Sequence, residues 1–177
     1  LRDHRGRVRP WGADVTAAEL IALARAEAHV LAAAESCTGG LLGATLTAVP
    51  GSSDVFDRSY VTYSNAAKRE MLGVQDDTLK AHGAVSEHVA QEMAAGAFSQ
   101  SHATIAVSIT GIAGPGGSDH KPEGRVCFGL VWEKGVRTET VEFGPIGRDA
   151  VRHASVDHAL AMIRNCIEHD PHEKRAV

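Results

Sequence analysis

No stretch of the chain approaches the roughly 20 consecutive apolar residues that a membrane-spanning helix needs, so no membrane partner is expected. An excess of positive charge is missing as well: 18 Lys and Arg stand against 22 Asp and Glu, a formal net charge of -4. A general nucleic-acid binder would show a basic face, and none is expected here. There is no C-x-x-C pair. Cys37, Cys127 and Cys166 are odd in number and far apart, which points to neither a zinc ribbon nor a disulfide framework; a reducing cytoplasm is the simplest home. Internal repeats and low-complexity tracts are absent. The arginine-rich start, Leu1 to Trp11, leads into no hydrophobic core and does not read as a secretory signal. Residues 1–15 are expected to form a poorly ordered extension and residues 170–177 a charged tail. Ten histidines raise the question of a metal. His153 and His158 are five apart, a poor match to one helix face, and His169 and His172 sit in the charged end. Scattered surface histidines are expected, and no metal site.

What is present fits one globular domain over residues 16–169: 177 residues, 44% apolar and 23% charged. Thr16 with Glu19 forms a capping box that opens a helix towards Ala28. The short apolar run from Val30 to Ala34 reads as a buried strand, and residues 41–48 as a helix stopped by Val49-Pro50-Gly51. Arg58 to Tyr63 reads as a second strand. Ser64-Asn65 caps a helix ending at Gly73, Asp76 to Ala81 gives a short helical piece, and Ser86 caps a longer helix to Phe98. Ala103 to Ile109 has the unbroken apolar pattern of a sheet interior. Residues 125–133 and 136–143 form a hairpin around Lys134-Gly135, and Gly147-Arg148-Asp149 starts a final helix. Helices alternating with strands, then a hairpin, predict an α/β/α sandwich, three layers around a mixed sheet. Loops at the strand ends gather along the edge where open α/β sheets bind ligands.

Three loops carry chemistry-bearing residues: Glu35 to Gly40, Tyr63 to Lys68, and Thr110 to Gly117. In the first, Ser36 lies on a tight strand-to-helix turn, and Gly39 and Gly40 allow close approach to unpaired backbone N–H groups. An ordinary helix cap is the alternative. In the second, Asn65 caps a helix with Lys68 in its first turn. The partial positive charge there, together with burial, would depress an ammonium's pKa and leave a base able to activate a serine. A solvated lysine and a packed Tyr63 are the alternatives. Cys37 competes with Ser36 as nucleophile, because a helix start lowers a thiol's pKa.

Four ordered runs resemble one family: Ala34-Glu-Ser-Cys-Thr-Gly-Gly40, Tyr60-Val-Thr-Tyr-Ser-Asn-Ala-Ala-Lys68, His82-Gly-Ala-Val-Ser-Glu87 and Ser108-Ile-Thr-Gly-Ile-Ala-Gly-Pro115. That family is the C-terminal domain of competence-damage-inducible protein CinA, and the likeness extends from about Thr16 to Ile167. The chain looks like its stand-alone form, the nicotinamide-nucleotide amidases. The resemblance implies deamidation of nicotinamide mononucleotide, with Ser36 as nucleophile, Lys68 as base and Tyr63 beside them, and no cofactor. Substrate contacts are expected from Glu35, Cys37, Thr38, Gly39, Gly40 and Asn65. Further contacts are expected from Thr110, Gly111 and Gly114, with Arg148 on the phosphate. The N–H groups of residues 37–40 would hold the oxyanion, and the 111–117 loop would offer a phosphate nest. For Arg148 a surface ion pair with Asp149 or Glu142 is the alternative. A silent nucleotide-binding module and a hydrolase of another small amide are the competing functions. The apolar hairpin and Ala-rich helices suggest a homo-oligomer.

Overall fold

The computed structural model describes residues 15–118 and 120–169. The extension expected over 1–15, except Val15, and the tail expected over 170–177 lie outside them. Helix α1 (Ala17–Ala26) begins at the Thr16–Glu19 capping box. Strand β1 (Leu31–Glu35), helix α2 (Leu41–Thr47), strand β2 (Phe56–Val61) and helix α3 (Asn65–Leu72) follow, with one 3-10 turn at Ser52–Asp54. Helices α4 (Asp76–His82) and α5 (Glu87–Ser99) lead to strand β3 (Ile105–Gly111). The hairpin β4 (Arg125–Trp132) and β5 (Gly135–Glu142) and the long helix α6 (Arg148–His169) complete the order.

The five strands form one sheet in the order β2-β1-β3-β4-β5. The first three are parallel; β4 runs antiparallel to β3 and β5 antiparallel to β4, so the sheet is mixed as expected. β1 is buried on both faces and sorts its residues by alternation. Leu31 and Ala33 face α1, α2 and α6, in a core with Leu20, Leu46 and Ile163. Ala32 and Ala34 face the opposite layer, with Leu72 of α3, Leu79 of α4 and Met93 of α5. Three layers result, helices on both sides of the sheet. The small β1 side chains let both helix layers come close, and Gly96 does the same between α5 and α3: a Cβ there would overlap the Leu72 carbonyl oxygen.

The strand limits differ from expectation in ways that matter below. β2 starts at Phe56 and stops at Val61, because its ladder follows β1, which ends at Glu35. Tyr63 therefore stands in a loop, 61% exposed. β3 runs on to Gly111, carried by antiparallel pairing of Thr110 with Cys127 and Gly111 with Val126. Thr110 and Gly111 thus belong to the strand, not the glycine-rich loop. The hairpin turn is Glu133-Lys134, and Trp132 pairs with Gly135. A Cβ on Gly135 would come within 2.8 Å of the Trp132 ring. Not all histidines are on the surface. His29 is buried, with its ring 2.9 Å from the Thr104 hydroxyl, and His158 contacts Glu139 at 3.0 Å.

Because β2 and β3 flank β1, the chain reverses its direction of travel across the sheet at β1's carboxyl end. Open α/β sheets form their crevice at such a point. Ser36 is the next residue.

Candidate active site

The Ser36 N–H donates to Ile109 O, one last rung of the β1–β3 ladder. The chain then turns sharply: Gly39 N–H donates to Ser36 O and Leu41 N–H to Thr38 O, with Gly39 and Gly40 at positive φ. Gly40, the residue before α2, has no side chain to cap the helix. Glu35 supplies the cap from outside, its carboxylate accepting from Leu42 N–H at 2.8 Å and Gly43 N–H at 3.0 Å. The Ser59 hydroxyl donates to it as well, at 2.7 Å. An anion at a helix N-terminus is well placed electrostatically. Both Glu35 oxygens are taken up inside the fold and the residue is fully buried. Glu35 therefore shapes the turn, in place of the substrate contact expected of it.

On α3 the cap is Ser64, whose hydroxyl accepts from Ala67 N–H at 3.0 Å; Asn65 is the first helical residue and is exposed. Lys68 points down into the protein and is 1% exposed. Its Nζ lies 2.9 Å from Ser36 Oγ and 2.8 Å from the Thr62 carbonyl oxygen. Burial pushes the ammonium down to about 8, with the neighbouring Cys37 thiol acting weakly the other way. An amine with that pKa is about one-tenth neutral at pH 7. A neutral amine has one lone pair and two N–H donors, so it can take the Ser36 proton while donating to Thr62 O. That is the arrangement of a serine activated by lysine.

Cys37 points into the core with Leu42 and Leu46, 6% exposed, and burial raises its thiol to about 11. A thiol so held is a poor nucleophile. The activation by a helix start that made it a rival to Ser36 does not operate. The backbone N–H groups of Cys37, Thr38 and Gly40 have no oxygen acceptor among the described residues. The Thr38 and Thr62 hydroxyls are likewise buried without a partner.

The third loop meets this turn through α6. Arg148 donates from Nη1 to Gly114 O at 2.6 Å and from Nη2 to the Tyr63 hydroxyl at 2.8 Å. One guanidinium thus ties three expected site residues, Tyr63, Gly114 and Arg148 itself, into a rim. Thr110 does not join them. It is 1% exposed and donates to Ala84 O at 2.8 Å, holding the loop between α4 and α5. Gly111 lies against β4, where a Cβ would come within 2.7 Å of Val126. The expected phosphate nest is partly occupied: Gly116 N–H donates to Glu123 Oε2 at 2.7 Å, and Ser118 pairs with Lys121. Among the described residues no group of three His, Cys, Asp or Glu is placed to hold a metal.

Arg152 was not singled out from the sequence, yet it reaches the Ser36 turn, donating to Cys37 O and Thr38 O. Its signal was the four-residue spacing from Arg148, which puts both arginines on one helix face. The Thr62 carbonyl was missed as well, being a backbone contribution.

Fold and site place the chain among α/β proteins with a serine–lysine pair at the sheet's switch point, and comparison gives the family. The profile of the CinA C-terminal domain matches residues 13–167, and the chain belongs to that family. It is similar to a nicotinamide-nucleotide amidohydrolase PncC of Enterobacter agglomerans, 49% identical over 153 residues, covering 85% of this chain and 93% of that protein. A CinA-like protein of Syntrophobacter fumaroxidans is 48% identical over 141 residues, covering 79% of this chain and 33% of its own length. The chain spans about a third of the length of the first curated relatives it matches. Among solved structures, the competence/damage inducible protein CihA from Agrobacterium tumefaciens superposes with a TM-score of 0.77 at 43% identity. The match covers 86% of this chain and 98% of that one.

Proposed function

We propose that this chain hydrolyses the carboxamide of nicotinamide mononucleotide to nicotinic acid mononucleotide and ammonia, with Ser36 as nucleophile and Lys68 as its base. The observation that carries the reading is the buried 2.9 Å contact between Lys68 Nζ and Ser36 Oγ. The choice of amide rests on the name of the PncC relative, nearly all of whose length the chain matches.

Neutral Lys68 takes the Ser36 proton as Oγ bonds to the carboxamide carbon and the carbonyl electron pair moves to oxygen. N–H groups of the 37–40 turn receive that oxyanion. Protonated Lys68 then returns the proton to the departing nitrogen, with Tyr63 at the rim as relay, and ammonia leaves. Water attacks the acyl-Ser36 ester with Lys68 again as base, releasing the acid. Arg148 and the exposed Asn65 are the proposed phosphate and ribose contacts. Arg148 is the better phosphate anchor, because Glu123 already faces the glycine-rich loop. The cytoplasm is the proposed compartment, in keeping with three free cysteines. A homo-oligomer is the proposed assembly, and light scattering after size exclusion that found a monomer would retire it.

The test is ammonia release from nicotinamide mononucleotide by the parent, Ser36→Ala, Lys68→Ala and Cys37→Ala. Turnover is expected in the parent and Cys37→Ala, with losses of about a thousandfold or more in the other two. Activity surviving in Ser36→Ala would overturn the nucleophile. A parent that binds the nucleotide without turning it over would be a binding module.

A further inference from the structure

Arg152 projects from the second turn of α6 onto the Ser36 turn. Its Nε donates to Cys37 O at 3.3 Å, its Nη2 to Thr38 O at 3.0 Å, and its Nη1 lies 3.9 Å from Asp149. We infer that Arg152 is a positioning residue for oxyanion binding, which it serves by fixing the Cys37–Thr38 peptide plane through its carbonyl. The inference rests on the serine–lysine reading above.

A trans peptide is planar, and its C=O and N–H point in opposite directions. Whatever holds a carbonyl therefore aims the N–H on the other side of the same peptide. Three peptides matter in the turn. Ser36 O accepts from Gly39 N–H at 3.0 Å, which fixes the first peptide and with it the Cys37 N–H. Thr38 O accepts from Leu41 N–H at 3.1 Å as well as from Arg152, so the third is held twice. The second peptide is different. Among the described residues, Cys37 O has no donor but Arg152, from 115 positions along the chain.

Released from Arg152, that peptide is free to rotate, and the Thr38 N–H loses its aim. Among the described residues neither the Thr38 N–H nor the Cys37 N–H donates to an oxygen acceptor, and they are the first two donors after the nucleophile. The residue after a nucleophilic serine on a strand-to-helix turn is a common oxyanion donor. Charge adds to geometry. A cation on the carbonyl side polarises the peptide and strengthens its N–H as a donor on the other. The cation never needs to touch the substrate.

The test reads the oxyanion site directly, through the rate at which a fluorophosphonate labels Ser36 in the parent chain, Arg152→Ala and Arg152→Lys. Phosphonylation also builds negative charge on oxygen, and it does not depend on which amide is the natural substrate. Loss of an oxyanion donor typically slows acyl transfer by about 100- to 1000-fold. Loss of aim at one of two donors is expected to slow labelling by about 10- to 100-fold in Arg152→Ala. Arg152→Lys keeps a cationic donor and is expected to recover part of the rate. Thermal midpoints are expected to stay within a few degrees of the parent. For nicotinamide mononucleotide the loss is expected in kcat, with KM moving by less than about threefold.

Labelling of a folded Arg152→Ala at the parental rate would overturn the inference. So would a rise in KM at unchanged kcat, which is the signature of a substrate anchor. If Arg152→Ala does not fold, Arg152→Met, which keeps the bulk and gives up the donor and the charge, decides in its place: a parental labelling rate would sink the idea, and a slowed rate in a stable protein would uphold it. A parent labelled at Ser36 that releases no ammonia would defeat the amidase reading and leave the labelling series to judge Arg152. A parent never labelled at Ser36 would overturn both.

Discussion

Lys68 is the residue on which the chemistry turns, and its environment makes a quantitative claim. Burial disfavours the ammonium and brings it to about 8. Only the neutral amine can accept the Ser36 proton, so activity is absent where Lys68 is charged and appears as the pH rises through its pKa. The acid limb of kcat/KM is expected to be half-maximal near pH 8, falling about tenfold per pH unit below it. A limb centred near 10 would mean that the lysine is solvated in the working enzyme. Lys68 and Ser36 were legible as neighbours of a helix start and a glycine pair, which are local signals, whereas Tyr63, read as a strand end, stands in a loop beyond β2. Glu35 was legible only as a member of the same run. Its work is done on the N–H groups of residues 42 and 43 and on the Ser59 hydroxyl. A string of letters does not tell a carboxylate that caps a helix from one that meets a ligand.

At the scale of elements, the seating of α3 sets the reach of Lys68. α3 is short, and its last residue, Leu72, lies against Gly96 in the middle of α5. Backbone there meets backbone, with no flexible side chain to give way. Gly96→Ala is accordingly expected to cost about 1–3 kcal/mol of stability, read as a lower urea midpoint at unchanged slope. Because α3 must shift, turnover at saturating substrate is expected to fall too. A Gly96→Ala protein with parental stability would show that the two helices can slide apart freely. Helices α3 and α5 were readable from their Ser64 and Ser86 caps, and the hairpin from its turn, which falls one residue earlier than read. The limits of β2 and β3 were not. Gly111 carries a loop-forming letter and Thr110 opens a glycine-rich run, yet the antiparallel partner β4 holds both in the ladder. Pairing across a sheet is a tertiary fact and overrides local propensity.

For the molecule as a whole, the three-layer plan followed from the alternation of helices and strands. Its most consequential contact, Arg152 to the Ser36 turn, did not. The four-residue spacing from Arg148 puts residue 152 on the right helix face, but it does not name a partner 115 positions earlier. A further property emerges only when charge is viewed together with place. The chain carries a formal net charge of -4, which by itself repels anions. At the rim, though, Arg148 is engaged by two neutral acceptors, the Gly114 carbonyl and the Tyr63 hydroxyl, and forms no ion pair with a described carboxylate. Its positive charge is left uncompensated towards solvent. The rim is therefore a local attractor on a repelling body, and the speed of capture becomes a matter of ionic strength. At 0.1 M salt the field of one charge fades over about 10 Å. For an anionic substrate, kcat/KM is expected to drop several-fold between about 20 mM and 500 mM salt while kcat holds. In Arg148→Ala that slope is expected to flatten. An unchanged slope would place the attraction elsewhere on the surface. On this account the encounter is tuned by one guanidinium, because no described carboxylate is paired with it.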